Sequence, residues 1–131
     1  NSMPAYTVSL LESKIDNLKD KKIGVLGLSY KADVDDTRES PALKIREILE
    51  EKKAKVFVFD PFIPEKSSVS SLEELLKKVD YLILATDHRE FKDMDLEKLK
   101  ENKIKIIIDG RNCLNKEKIK SLGIEYKGIG R

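Results

Sequence analysis

The feature that most constrains this chain is a recurrence of short, uninterrupted apolar runs, separated by segments with helical spacing. Residues 23–28, 56–59 and 81–85 are three such runs, 104–108 is a fourth broken only by Lys105, and 124–126 is a weaker fifth. A short run without polar alternation suits a strand buried on both faces. Between the runs, apolar residues return every three or four positions: Ala42, Ile45, Ile48 and Leu49; then Leu72, Leu75, Leu76 and Val79; then Leu96 and Leu99. Ser40-Pro41 has the N-cap and first-turn proline of a helix start, and Ser71 can cap the next helix. A last helix near residues 116–121 stops at Gly123. Residues 4–19 read as an opening helix with Val8, Leu11, Ile15 and Leu18 on one face. Strands alternating with helices predict an α/β domain with a parallel sheet, helices on both faces and right-handed crossovers.

Composition narrows the function. The length, 131 residues, is that of one domain. Its 26 basic and 24 acidic side chains leave a net charge of +2, too balanced for a dedicated nucleic-acid binder. Cys113 is the single cysteine, which excludes an internal disulfide and a multi-thiolate zinc cluster. The longest apolar run without glycine is residues 81–85, far short of a membrane span. With no secretory pattern in the first twenty or so residues, a cytoplasmic location is expected.

In open parallel sheets, ligands bind beyond the carboxyl ends of the strands, where strand order reverses. That places a site on the loops 27–40, 60–70, 86–92 and 109–114. The first is the richest. Gly27 leaves the first strand, and a glycine exit facing a helix N-terminus admits a phosphate. The spacing is not the dinucleotide fingerprint, however: Gly24 and Gly27 are too far apart, position 30 is Tyr, and the loop is about ten residues too long. Lys31 and Arg38 on this loop and Arg111 after the fourth strand bring three cations to one sheet edge, which suggests an anionic ligand. Equally open is pairing of the arginines with the local carboxylates Asp35, Asp36, Glu39 and Asp109. Asp60 ends the second strand, where dinucleotide folds keep a ribose-binding acid, but Pro61 follows and a turn role is expected. His88, the only histidine, is expected on the surface, and Cys113 is read as structural. No catalytic set and no metal-ligand pattern stands out.

The segment Gly27-Leu28-Ser29-Tyr30-Lys31, followed by residues 35–43 (Asp-Asp-Thr-Arg-Glu-Ser-Pro-Ala-Leu), closely resembles the signature of the C-terminal domain of the UDP-glucose/GDP-mannose dehydrogenase family. Asp60-Pro61, Thr86-Asp87-His88 with Glu90-Phe91, and Asp109-Gly110-Arg111-Asn112 follow in the family's order. The opening Asn1-Ser2-Met3-Pro4 is similar to the stretch that enters this domain in the UDP-N-acetyl-mannosamine branch. The resemblance implies a Rossmann-like three-layer domain, with a mainly parallel open sheet of about five strands preceded by an N-terminal helix. Residues 1–20 would be the end of a central linker helix and 21–131 the C-terminal UDP-sugar-binding domain. Such enzymes use NAD to oxidise a sugar C6 alcohol to an acid in two hydride transfers, through a thiol-bound intermediate.

By position, Tyr30 and Lys31 resemble the aromatic–lysine pair lining the UDP-sugar site, Arg111 the arginine reaching the substrate nucleotide, and Arg38 the arginine reaching toward NAD. NAD would be held mainly by an N-terminal domain. The partners implied are the UDP-sugar, the NAD-binding and central domains of the same enzyme, and a second copy in a homodimer, with no nucleic acid and no membrane. The family's nucleophilic cysteine lies in a glycine-rich motif that this sequence lacks, and Cys113 does not match it. The chain alone is therefore expected to be inactive. Alternatives are a UDP-glucose 6-dehydrogenase domain and a stand-alone nucleotide-binding module.

Overall fold

The computed structural model describes residues 3–29, 31–35 and 40–130. Five strands, β1 (Lys22–Leu26), β2 (Lys55–Phe59), β3 (Tyr81–Leu84), β4 (Ile106–Asp109) and β5 (Glu125–Gly128), form one sheet in the order β2-β1-β3-β4-β5. Every neighbouring pair is parallel. Strand order reverses between β1 and β3, so the loops leaving these two strands diverge and open a crevice at the carboxyl edge.

Helices cover both faces. α1 (Met3–Glu12) and α2 (Pro41–Glu51) lie on one side, where Val8, Leu11, Ile45 and Leu49 share a core with Val25, Ile83 and Ile108. The other side carries α3 (Leu72–Lys78), α4 (Arg89–Lys92), α5 (Glu97–Glu101) and α6 (Lys116–Ser121). There Leu75, Phe91, Leu99 and Ile119 pack with Leu82, Leu84 and Ile107. Consecutive residues such as Leu82 and Ile83 thus enter opposite cores, the reason the strands read as continuous apolar runs.

The expected helix starts are present. Ser40 Oγ accepts from Ala42 N with Pro41 at the first position, and Ser71 Oγ accepts from Glu74 N. The opening helix is shorter than its spacing predicted, ending at Glu12 rather than 19. Ser13 Oγ bonds the carbonyl of Leu10, and Asn17 Oδ1 captures Lys19 N. Short polar side chains that bond nearby backbone compete with helix propagation. Ile15 and Leu18 still pack on the α1–α2 core, so the apolar spacing reported burial without reporting helix. α4 has no counterpart in the sequence reading; it is one turn, set by Phe91 N bonding His88 O and by the fully buried Phe91 ring.

Candidate nucleotide-binding site

Each strand that borders the crevice delivers a polar residue at its carboxyl end, and these are tied together. Asp60, just past β2, is completely buried. Its Oδ1 accepts from Phe62 N at 2.8 Å, the turn role expected of an Asp-Pro step. The other oxygen does something the sequence did not signal. Oδ2 accepts from Leu28 N at 2.6 Å and Ser29 N at 3.1 Å, and His88 Nε2 lies 2.8 Å away. The first loop is thereby pinned to the end of β2.

His88 corrects the surface expectation outright. It is fully buried, with its ring centroid 4.9 Å from that of Phe62 and 5.5 Å from that of Phe91. Asp33 N donates to Nδ1 at 2.7 Å, so that nitrogen is the acceptor and Nε2 carries the hydrogen that Asp60 receives. Ser29 Oγ is 3.1 Å from the same Nε2 and donates its own hydrogen to Lys31 O at 2.8 Å. Thr86 Oγ1 donates to Ser29 O at 2.7 Å, and Arg89 N to Asp33 Oδ1 at 2.9 Å. A lone loop histidine carries no local burial signal. Its partner stands 28 positions earlier, and only the fold brings the two together.

Burial alone would raise the Asp60 carboxyl, but hydrogen bonds from His88, Leu28 N and Phe62 N outweigh it and hold the group below its ordinary 3.8. A group depressed in the folded state stabilises the fold fully above its unfolded value, and that contribution is lost as pH falls through the folded one. The unfolding free energy of the chain is therefore expected to drop below about pH 4. Asp60→Asn should flatten the drop. Urea midpoints taken from pH 5 down to 2 check this; an identical acid slope in the variant would contradict it.

The sequence-predicted cations fall into two groups. Lys31 is exposed on the first loop, its backbone fixed by the Ser29 bond. Arg111 follows β4, with its backbone N–H on Asp109 Oδ1 at 3.1 Å and its Nη2 3.4 Å from Asp87 Oδ1. That Asp87 oxygen is buried and makes no hydrogen bond, so the Arg111 contact is an ion pair without hydrogen-bond geometry. The carboxylate facing the guanidinium thus comes from the β3 loop, a partner not among those weighed from the sequence. Arg111 lines a cavity of about 250 Å³ between the N-terminal ends of α1 and α2 and the ends of β3 and β4, walled by Pro4, Thr7, Pro41, Ile45 and Ala85. Tyr30 and Arg38 lie outside the described residues.

Two possible chemistries fit poorly. Burial, reinforced by the charges of Asp109 and Asp87, pushes the Cys113 thiol up to about 12, so it is not a nucleophile near neutrality. Nor do the described residues build a dinucleotide site of their own: the one acid at a ribose-binding position, Asp60, spends its oxygens on backbone amides and His88. Among the described residues no group of three or more His, Cys, Asp or Glu side chains is placed to hold a metal, and no helix is long and apolar enough to cross a membrane.

Comparison with known proteins identifies the family. Residues 24–116 match the model of the UDP binding domain of the UDP-glucose/GDP-mannose dehydrogenase family. The chain belongs to this family. The match runs from Gly24 in β1 to the first residue of α6, and so takes in all four strand-end loops. A UDP-N-acetyl-D-mannosamine dehydrogenase of Pyrococcus horikoshii is 40% identical over 134 residues, covering 98% of this chain and 31% of that protein. A UDP-glucose 6-dehydrogenase of Rickettsia felis is 36% identical over 139 residues, covering 97% of this chain and 31% of that protein. The solved structure of the UDP-D-ManNAc dehydrogenase from Pyrococcus horikoshii superposes with a TM-score of 0.88 at 38% identity, over 99% of this chain and 31% of that one. The chain thus spans about a third of the length of the family relatives it matches.

Proposed function

We propose that this chain is the UDP-sugar-binding domain of an NAD-dependent nucleotide-sugar 6-dehydrogenase, which converts UDP-N-acetyl-D-mannosamine to UDP-N-acetyl-D-mannosaminuronate by two successive oxidations. The observation that carries the reading is Arg111, set by a backbone bond at the exit of a buried strand and lining a cavity at the carboxyl edge of the sheet. A UDP-sugar presents a diphosphate; the planar guanidinium fork of Arg111 matches phosphate oxygens, and Lys31 adds a mobile point charge. The family resemblance assigns Tyr30 to the same nucleotide and Arg38 to NAD. Oxidation of the alcohol to the acid takes up one water and delivers two hydrides, one to each of two NAD molecules. NAD itself is held mainly by another domain of the whole enzyme, which also supplies the thiolate that Cys113 is not.

Residues 1–20 are then the end of a central linker region, helical over Met3–Glu12, and 21–131 the binding domain, in a cytoplasmic enzyme that works as a homodimer. UDP-glucose is the second reading for the sugar, favoured by the 36% identity to the Rickettsia felis enzyme. Calorimetric titration of UDP tests the site. Lys31→Ala and Arg111→Ala should each weaken binding about tenfold, the scale of one charge-assisted contact to phosphate. Unchanged affinity in both variants would put the site elsewhere. Added salt should weaken the wild-type chain more than either variant.

A further inference from the structure

The long connection from β1 to α2 carries Lys31, yet the ammonium is exposed and its location is inherited from the backbone beneath it. Connections of this length are mobile unless something ties them down. Here the ties converge on one buried ring. His88 accepts the Asp33 amide on Nδ1 and gives its Nε2 hydrogen to Asp60, which in turn holds the Leu28 and Ser29 amides. Ser29 Oγ, within 3.1 Å of the same Nε2, holds the carbonyl of Lys31. The two ends of the 28–33 segment are therefore fixed by opposite edges of a single imidazole.

Building on the UDP-site reading, we propose that His88 is a positioning residue for nucleotide binding, which sets Lys31 on the diphosphate by clamping residues 28–33 against Asp60. It touches no ligand. A ring that merely fills space between Phe62 and Phe91 is replaceable by any apolar side chain of similar volume; a clamp needs the acceptor facing Asp33. This separates two variants. In His88→Asn, Oδ1 stands close to where Nδ1 was and keeps the Asp33 bond, and Asp60 still holds the Leu28 and Ser29 amides, so only the link from Nε2 to Asp60 and Ser29 is lost. In His88→Leu the volume stays and the acceptor goes.

The experiment measures UDP affinity by calorimetry and amide exchange by NMR on the same samples. His88→Leu should weaken UDP about tenfold and speed Asp33 exchange at least about tenfold, with β3 and β4 amides unchanged. His88→Asn should stay within about threefold of the unaltered chain on both measures. In a Lys31→Ala background the Leu substitution should cost little more, because both act through the same contact. Equal affinity for the Leu variant and the unaltered chain would overturn the proposal, as would equal weakening by Asn and Leu. Should the Leu variant not fold, Ser29→Ala cuts the link from His88 Nε2 to the Lys31 carbonyl and leaves the Asp33 and Asp60 bonds, with an expected loss of about threefold; no loss there overturns it too. Failure of the unaltered chain to bind UDP sinks the site reading by itself, whereas unchanged Asp33 exchange in the Leu variant sinks the clamp by itself.

Discussion

Gly27→Ala is expected to cost about 3–5 kcal/mol of folding free energy, among the largest single-site losses in the chain. Gly27 stands where β1 turns into the first loop, with φ at +99°. A methyl built there would lie 2.4 Å from Thr86 Cβ, 2.5 Å from its Oγ1 and 2.9 Å from its backbone nitrogen. Neither side has freedom to retreat. Gly27 N is bonded to Phe59 O at 2.8 Å, while Thr86 is fully buried and bonds Leu26 O through its amide and Ser29 O through its hydroxyl. Left-handed backbone strain and overpacking therefore add at one site. Gly123→Ala is the control. It also has a positive φ, +82°, but nothing lies within 4 Å of the added carbon, so only the conformational part of the cost remains, about 1 kcal/mol. Urea denaturation of both variants checks the contrast; a difference below about 1 kcal/mol would mean that the Thr86 wall yields more easily than its bonds suggest.

The two cost terms also mark what the sequence could and could not disclose. The architecture was legible because it rests on period and punctuation. Tyr81, Leu82, Ile83 and Leu84 are all apolar because the strand faces two cores, and Ser40-Pro41 and Ser71 are capping chemistry that acts within three or four residues. Strand ends drifted where tertiary bonds decide them. Leu28 extends the first apolar run but belongs to the loop, because Asp60 takes its amide. Asp109 reads as loop but ends β4, because its register partner Leu84 holds it in the sheet. For the site, topology alone puts Lys31 and Arg111 on loops at the carboxyl edge of the sheet. It does not place their anchors. Asp60 and His88 lie on separate loops, and each looked ordinary in its own neighbourhood: an Asp-Pro turn and a polar residue beside another acid. Burial of both is a property of the pair, and no window short enough to read for periodicity contains them together.

Asp109→Ala should be comparably severe, about 3–5 kcal/mol, for a different reason. The carboxylate is fully buried at the end of β4 and gathers donors from two directions, the turn after β4 and the strand β5. Its Oδ2 accepts from Tyr126 OH at 2.8 Å and Leu114 N at 2.9 Å, and its Oδ1 accepts from Arg111 N at 3.1 Å. Removing the acceptor takes a bond of 2.8 Å from the buried Tyr126 hydroxyl and one of 2.9 Å from the buried Leu114 amide, and a bond lost from a buried donor costs about 1–3 kcal/mol. Arg111 N stands nearer the surface, where water can replace the lost oxygen, so its share should be small. Tyr126→Phe removes only one of the donors and leaves the carboxylate its two amides, with an expected loss of about 1 kcal/mol. The two variants thus divide the network. A Tyr126→Phe loss as large as that of Asp109→Ala would assign the stabilisation to the β5 contact alone. A large gap assigns it to the turn at residues 111–114, and the folded Asp109→Ala chain should then also bind UDP more weakly, because that turn sets the backbone from which Arg111 reaches its cavity.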